Sequence, residues 1–111
     1  MSTMRNRVSL IGHVGNDPEV KQLNNDGTVA HLSLATNETR KNQAGEKITD
    51  TQWHRLVAWN GTAKVIEKYV KKGQEIAVEG KLVTREYETQ GTKKYITEVV
   101  LHEVVLLGSK A

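Results

Sequence analysis

Hydrophobic positions along this chain recur every second residue in five long stretches and at helical spacing in one. Residues 5–14 put Val8, Leu10, Gly12 and Val14 on one face and Arg5, Arg7, Ser9, Ile11 and His13 on the other, which is the period of a strand. Glycine inside such a pattern marks a bulge or a close backbone approach, so Gly12 and Gly15 are expected to bend the strand. Asn16, Asp17 and Pro18 supply turn chemistry. After a short extended piece, Asn24, Asn25, Asp26 and Gly27 predict a tight hairpin turn. A second long strand covers residues 28–39, with Ala30, Leu32, Leu34 and Thr36 opposite Val29, His31, Ser33, Ala35 and Asn37. Residues 40–50, RKNQAGEKITD, have almost no apolar content and read as a mobile loop.

Residues 51–61, TQWHRLVAWNG, return to period two with faces that differ in kind. His54, Leu56 and Ala58 suit a core, while Trp53, Arg55, Val57 and Trp59 share the other face. A solvated face carrying flat rings and a guanidinium is suited to unpaired bases and their phosphates; two indoles equally suit a second core or a subunit interface. Val65, Ile66, Tyr69 and Val70 then recur at helical spacing from Thr62 as N-cap, with Lys71 and Lys72 at the C-terminus and Gly73 ending the helix. Its lysines are expected to be solvated and Tyr69 to enter the core. In residues 74–88, Ile76, Val78, Gly80 and Leu82 are expected inward and Lys81, Val83, Arg85 and Tyr87 outward. A Gly-containing turn over 88–92 leads to a last strand over 93–107 with Tyr95, Thr97, Val99 and Leu101 on one face. Basic groups and a ring thus recur on the solvent side of a second strand.

Three strands, a helix, then two strands is the order of an OB-fold: an all-β, five-stranded, partly open barrel with one α-helix between strands 3 and 4. At 111 residues the chain holds one core, so residues 1–111 are expected to be a single domain. With no cysteine, disulfides, thiol nucleophiles and thiolate metal sites are excluded. The net charge of +3 is too mild to indicate nucleic acid by itself. Lacking a long apolar run or a signal-peptide pattern, the chain reads as soluble, intracellular and not membrane-bound. His13, His31, His54 and His102 lie singly on four strands without metal-ligand spacing, no nucleophile triad stands out, and GHVG is too weak for a phosphate loop. The expectation is a protein that is not an enzyme, with no catalytic residue, no metal site and no cofactor.

Together NRVSLIGHVGNDPEV, HLSLATNET, TQWHRLVAWNGTAKVIEKYVKKG, IAVEGKLVTREY and YITEVVLHEVVLLG resemble the bacterial single-stranded DNA-binding proteins over nearly the whole chain. The resemblance implies an OB-fold subunit, usually in a homotetramer, that coats unpaired DNA in the cytoplasm, at the nucleoid, without reading its sequence. It maps the family's stacking aromatics onto Trp53, Trp59 and Tyr87. Thr39 stands where well-studied members carry a fourth ring. Arg5, Arg7, Arg55, Lys81 and Arg85 become phosphate contacts, with Arg40, Lys41, Lys93 and Lys94 as further contributors from loop and hairpin. His54 falls at a position associated with subunit contacts. Many members continue into a glycine- and proline-rich linker and an acidic tail that recruits replication and repair proteins. This sequence ends at LLGSKA, so recruitment through such a tail is not expected of what would be a naturally short or a shortened member.

The alternative within the same fold is a replication-restart adaptor that binds mainly proteins; a third is an RNA-binding module, since no residue here marks a 2′-hydroxyl contact. A lone barrel is also expected to expose Ile11, Val99 and Leu101, which favours assembly with further copies.

Overall fold

The computed structural model describes residues 4–23 and 27–107. Strands β1 (Val8–Val14), β2 (Glu19–Gln22), β3 (Thr28–Lys41) and β4 (Lys47–Trp59) precede helix α1 (Asn60–Tyr69), and β5 (Glu75–Thr89) and β6 (Thr92–Leu106) follow it. The sheet runs β1-β5-β6-β4-β3, and a β1–β3 pairing closes these five long strands into a barrel. The fold is an OB-fold barrel with the helix in the expected place; the short extended piece is the additional strand β2, on the same edge of β3 as β1.

Gly12 and Gly15 make this closure possible. A Cβ on Gly12 would lie 2.2 Å from the carbonyl oxygen of Ala35, so only glycine lets β1 meet the β3 backbone there. The hydrophobic core cluster is aliphatic: Leu34, Leu56, Ile66 and Ile76 are fully buried, with Ala30, Leu32, Ala58, Val99 and Leu101 around them. Parallel β4–β6 pairing sets Leu56 beside Val99 and Ala58 beside Leu101.

Several expectations are corrected by the pairing. Only residues 42–46 form a turn where a loop over 40–50 was expected, because Arg40 and Lys41 pair with Ile48 and Lys47 in the β3–β4 ladder. Ladder hydrogen bonds need no apolar side chains, and Asn42 shapes the turn, its Oδ1 accepting from the N–H groups of Ala44 and Glu46. The helix begins at Asn60, two residues before Thr62, and has no side-chain N-cap. Asn60 instead has a positive φ of 50° and its Oδ1 accepts from the Thr28 N–H at 3.2 Å.

Tyr69 is exposed, not core. At about 100° per residue Ala63, Ile66 and Val70 form the stripe that faces the sheet, which turns Val65 and Tyr69 outward. Leu82 is exposed because it lies on the inner face past the end of the barrel, while Val99 and Leu101 are buried within it. Of the three apolar residues expected to be exposed, only Ile11 is, joined by Val105. The turn flanking 88–92 is tighter than expected: Gln90 and Gly91, with φ of 52° and 78°, link the Thr89–Thr92 pair in the conformation that suits a twisted hairpin. The turn expected at residues 24–27 lies mostly outside the described residues; its flanks Gln22 and Thr28 are paired.

Candidate nucleic-acid interface

Register decides which side chains share the outer surface. Across β3–β4, Trp53 pairs with Ala35, Arg55 with Ser33, Val57 with His31 and Trp59 with Val29. Because paired residues point the same way, the face continues across β6 through Val57 and Val100 to Lys81, and down the β5–β6 hairpin through Val83, Arg85 and Tyr87. Six of the eight residues singled out from the sequence, Trp53, Arg55, Trp59, Lys81, Arg85 and Tyr87, therefore lie on one continuous outer face. The tryptophans are 64% and 47% exposed and Tyr87 42%. The core holds none of the five aromatic residues, which removes the core reading of the indoles.

Trp53 is held by its neighbours. A Cβ on Gly15 would come within 2.4 Å of Cζ3 of the indole, so the ring lies directly over that glycine. Beside it, Asn16 Oδ1 accepts from both the N–H and the hydroxyl of Ser33, at 2.9 and 2.6 Å. Thr39, four residues beyond Ala35, is on the same face paired with Thr49, so that arm carries no ring there. His54 is on the inner side, half-buried, its Nε2 2.9 Å from the Thr36 hydroxyl.

The cations divide into two groups. Among the described residues Arg55 and Lys81 have no ion-pair or hydrogen-bond partner, which leaves their charge available. Arg85 donates from Nε and Nη2 to the two carboxylate oxygens of Glu98, at 3.0 and 3.2 Å, and Glu98 is buried beneath it. Arg7 donates to Glu79 at 2.6 Å, and Arg5 and Arg7 flank Asn6, whose side chain bonds the Leu82 backbone next to Lys81. At the hairpin tips Arg40 pairs with Asp50 and Lys93 approaches Glu86 at 3.4 Å.

The structure gathers some groups that pattern alone did not. A β-bulge at Glu79/Gly80 leaves His102 as an extra residue on β6, which brings it to Glu79 and Glu103 with ligand atoms within 4.8 Å of one another. The Arg7 hydrogen bond holds the Glu79 carboxyl below its ordinary range, against an opposing effect of desolvation. Glu79 is thus already neutralised by Arg7, and the group is read as an ion-pair cluster. Glu19 and His31, paired across β2–β3, border the Trp53 surface; sequence periodicity put His31 on the face of Val29 and Ser33, but only strand pairing sets Glu19 beside it.

A closed five-stranded barrel whose outer face presents rings and unpaired cations defines an OB-fold of the oligonucleotide-binding class. The chain matches the Single-strand binding protein family over residues 5–107, and it belongs to that family. It is 42% identical over 107 residues to Single-stranded DNA-binding protein 1 of Chlorobaculum tepidum, a match covering 95% of this chain. The chain spans 66% of that relative's length. It is also similar to the Plasmodium falciparum SSB solved in complex with ssDNA, with a TM-score of 0.85, 37% identity, and coverage of 96% of this chain and 98% of the other. Among the described residues no helix is long and apolar enough to cross a membrane.

Proposed function

We infer that this chain, acting as one OB domain over residues 1–111, binds single-stranded DNA without requiring a particular sequence and shields it during replication, recombination and repair. The observation that carries this reading is the placing of Trp53, Trp59 and Tyr87, all exposed, on one face with the unpaired Arg55 and Lys81. Each ring stacks a base for about 1–3 kcal/mol, whichever base it is. Arg55 and Lys81 meet phosphates, as does Arg5, with Arg7 and Arg85 exchanging carboxylate partners for phosphate as the strand passes. The work is binding, with no covalent step, and takes place at the nucleoid in the cytoplasm.

The reading includes a homo-oligomer, a tetramer by family resemblance. Ile11, Ala77 and Val105 line an apolar groove on the opposite part of the barrel, and β1 pairs with β3 only at His13 and Val14, which leaves most of its outer edge open. Several copies on one strand multiply three modest stacking contacts into tight binding.

Titrating tryptophan fluorescence with oligo-dT and with a duplex of equal length, at two salt concentrations, tests the reading. Strong quenching by oligo-dT, little by duplex, and a log–log salt slope of roughly −0.7 per phosphate contacted are expected. Equal response to duplex, or none to either, would sink it in favour of a protein-binding adaptor. A monomer by light scattering at micromolar concentration would refute the assembly alone.

A further inference from the structure

The outer face contains a cleft beside Trp53 that stacking and phosphate contact leave unused. It is open to solvent and offers about 230 Å³, room for several waters. Trp53 forms one wall, over Gly15. Asn16 and Ser33 form another, bonded to each other and to the Asp17 carbonyl, to which Asn16 Nδ2 donates at 2.9 Å. Among the described residues lining the cleft, Glu19, His31 and Arg55 remain uncommitted.

Glu19 is the informative one. A carboxylate on a face that meets phosphates repels them, and two other outer-face acids, Glu79 and Glu98, are each held by an arginine. Glu19 has no such partner, and His31 faces it across the β2–β3 ladder. A carboxylate only accepts hydrogen bonds. It therefore pairs with an exocyclic amine, as glutamate does with cytosine N4, whereas thymine offers it only the N3–H, flanked by two carbonyl oxygens that repel the carboxylate.

We propose that the Glu19–His31 cleft receives the edge of the base stacked on Trp53 and favours amine-bearing bases, cytosine foremost, over thymine at that one position. This rests on the single-strand reading above and adds a bias to binding that otherwise tolerates any sequence. The test is tryptophan quenching by oligo-dC and oligo-dT of equal length, on the native chain and on Glu19→Gln. Glutamine both donates and accepts, so it tolerates the thymine O4. Removing the charge tightens binding to both oligomers, but the ratio of oligo-dC to oligo-dT affinity is expected to fall on the order of fivefold in the variant. An unchanged ratio overturns the base-edge role and leaves stacking intact; quenching by neither oligomer overturns both. Glu19 is exposed, and a matching thermal melt confirms that the variant is folded.

Discussion

Strands β5 and β6 pass through two environments along one ladder. In the barrel, Ile76, Val78, Gly80, Val99 and Leu101 are buried and packed on the aliphatic core. From Lys81 to Thr97 the same two strands leave the barrel as an arm exposed on both faces, apart from the half-buried Val83 and Ile96. There the pairing is supported by Thr84 against Thr97 at 2.9 Å and by Lys93 near Glu86, with the Arg85–Glu98 pair at its root. The radius of gyration, 16.1 Å, exceeds the roughly 13 Å of a compact chain of this length because such arms project. Period-two alternation thus serves two ends. In the barrel it buys stability by burial, and in the arm it leaves both faces free to meet a ligand.

The sharpest way to break this contrast is Leu56→Ala. Leu56 is fully buried beside Val99, so about 2–5 kcal/mol of stability should be lost, read by chemical denaturation, and DNA binding should fall with the folded fraction. Tyr87→Ala on the arm should do the reverse. Single-strand affinity drops by about 1–3 kcal/mol while the unfolding midpoint barely moves; a large loss of stability would mean that Tyr87 supports the arm instead of contacting bases. The smallest effect distinguishes the root of the arm from its surroundings. Arg85→Ala leaves the buried Glu98 carboxylate without its partner, whereas Arg40→Ala removes a pair exposed on both sides. Thermal melts should show a lower midpoint for Arg85→Ala than for Arg40→Ala, and equal midpoints would show that water already satisfies Glu98.

Much of this was legible in the sequence where one residue type carried the signal. Trp53, Arg55 and Trp59 stand out by alternation, and the buried Leu56 and Ala58 are their necessary complement. What failed depended on pairing. Arg40 and Lys41 look like loop residues because polarity reports exposure and not hydrogen bonding. Leu82 and Val99 are cross-strand partners on one face, yet one is exposed and the other buried, and no local pattern says where the barrel ends. Val65 and Tyr69 are apolar enough to suggest a core stripe, but Ala63 marks the face that packs. The Arg85–Glu98 and Glu19–His31 pairs join residues 13 and 12 positions apart, and only register brings them together.

The β5–β6 ladder is interrupted by the bulge at Glu79/Gly80 and then runs without a break to Thr89–Thr92. Mechanically the arm is a cantilever clamped at Gly80, where a side chain would strike the Val100 carbonyl at 2.1 Å. Tyr87 sits seven residues out, a lever of roughly 23 Å at about 3.3 Å per residue. If the proposed strand pulls on that ring, its torque would fall on the junction of Gly80 with Leu101, at the rim of the core.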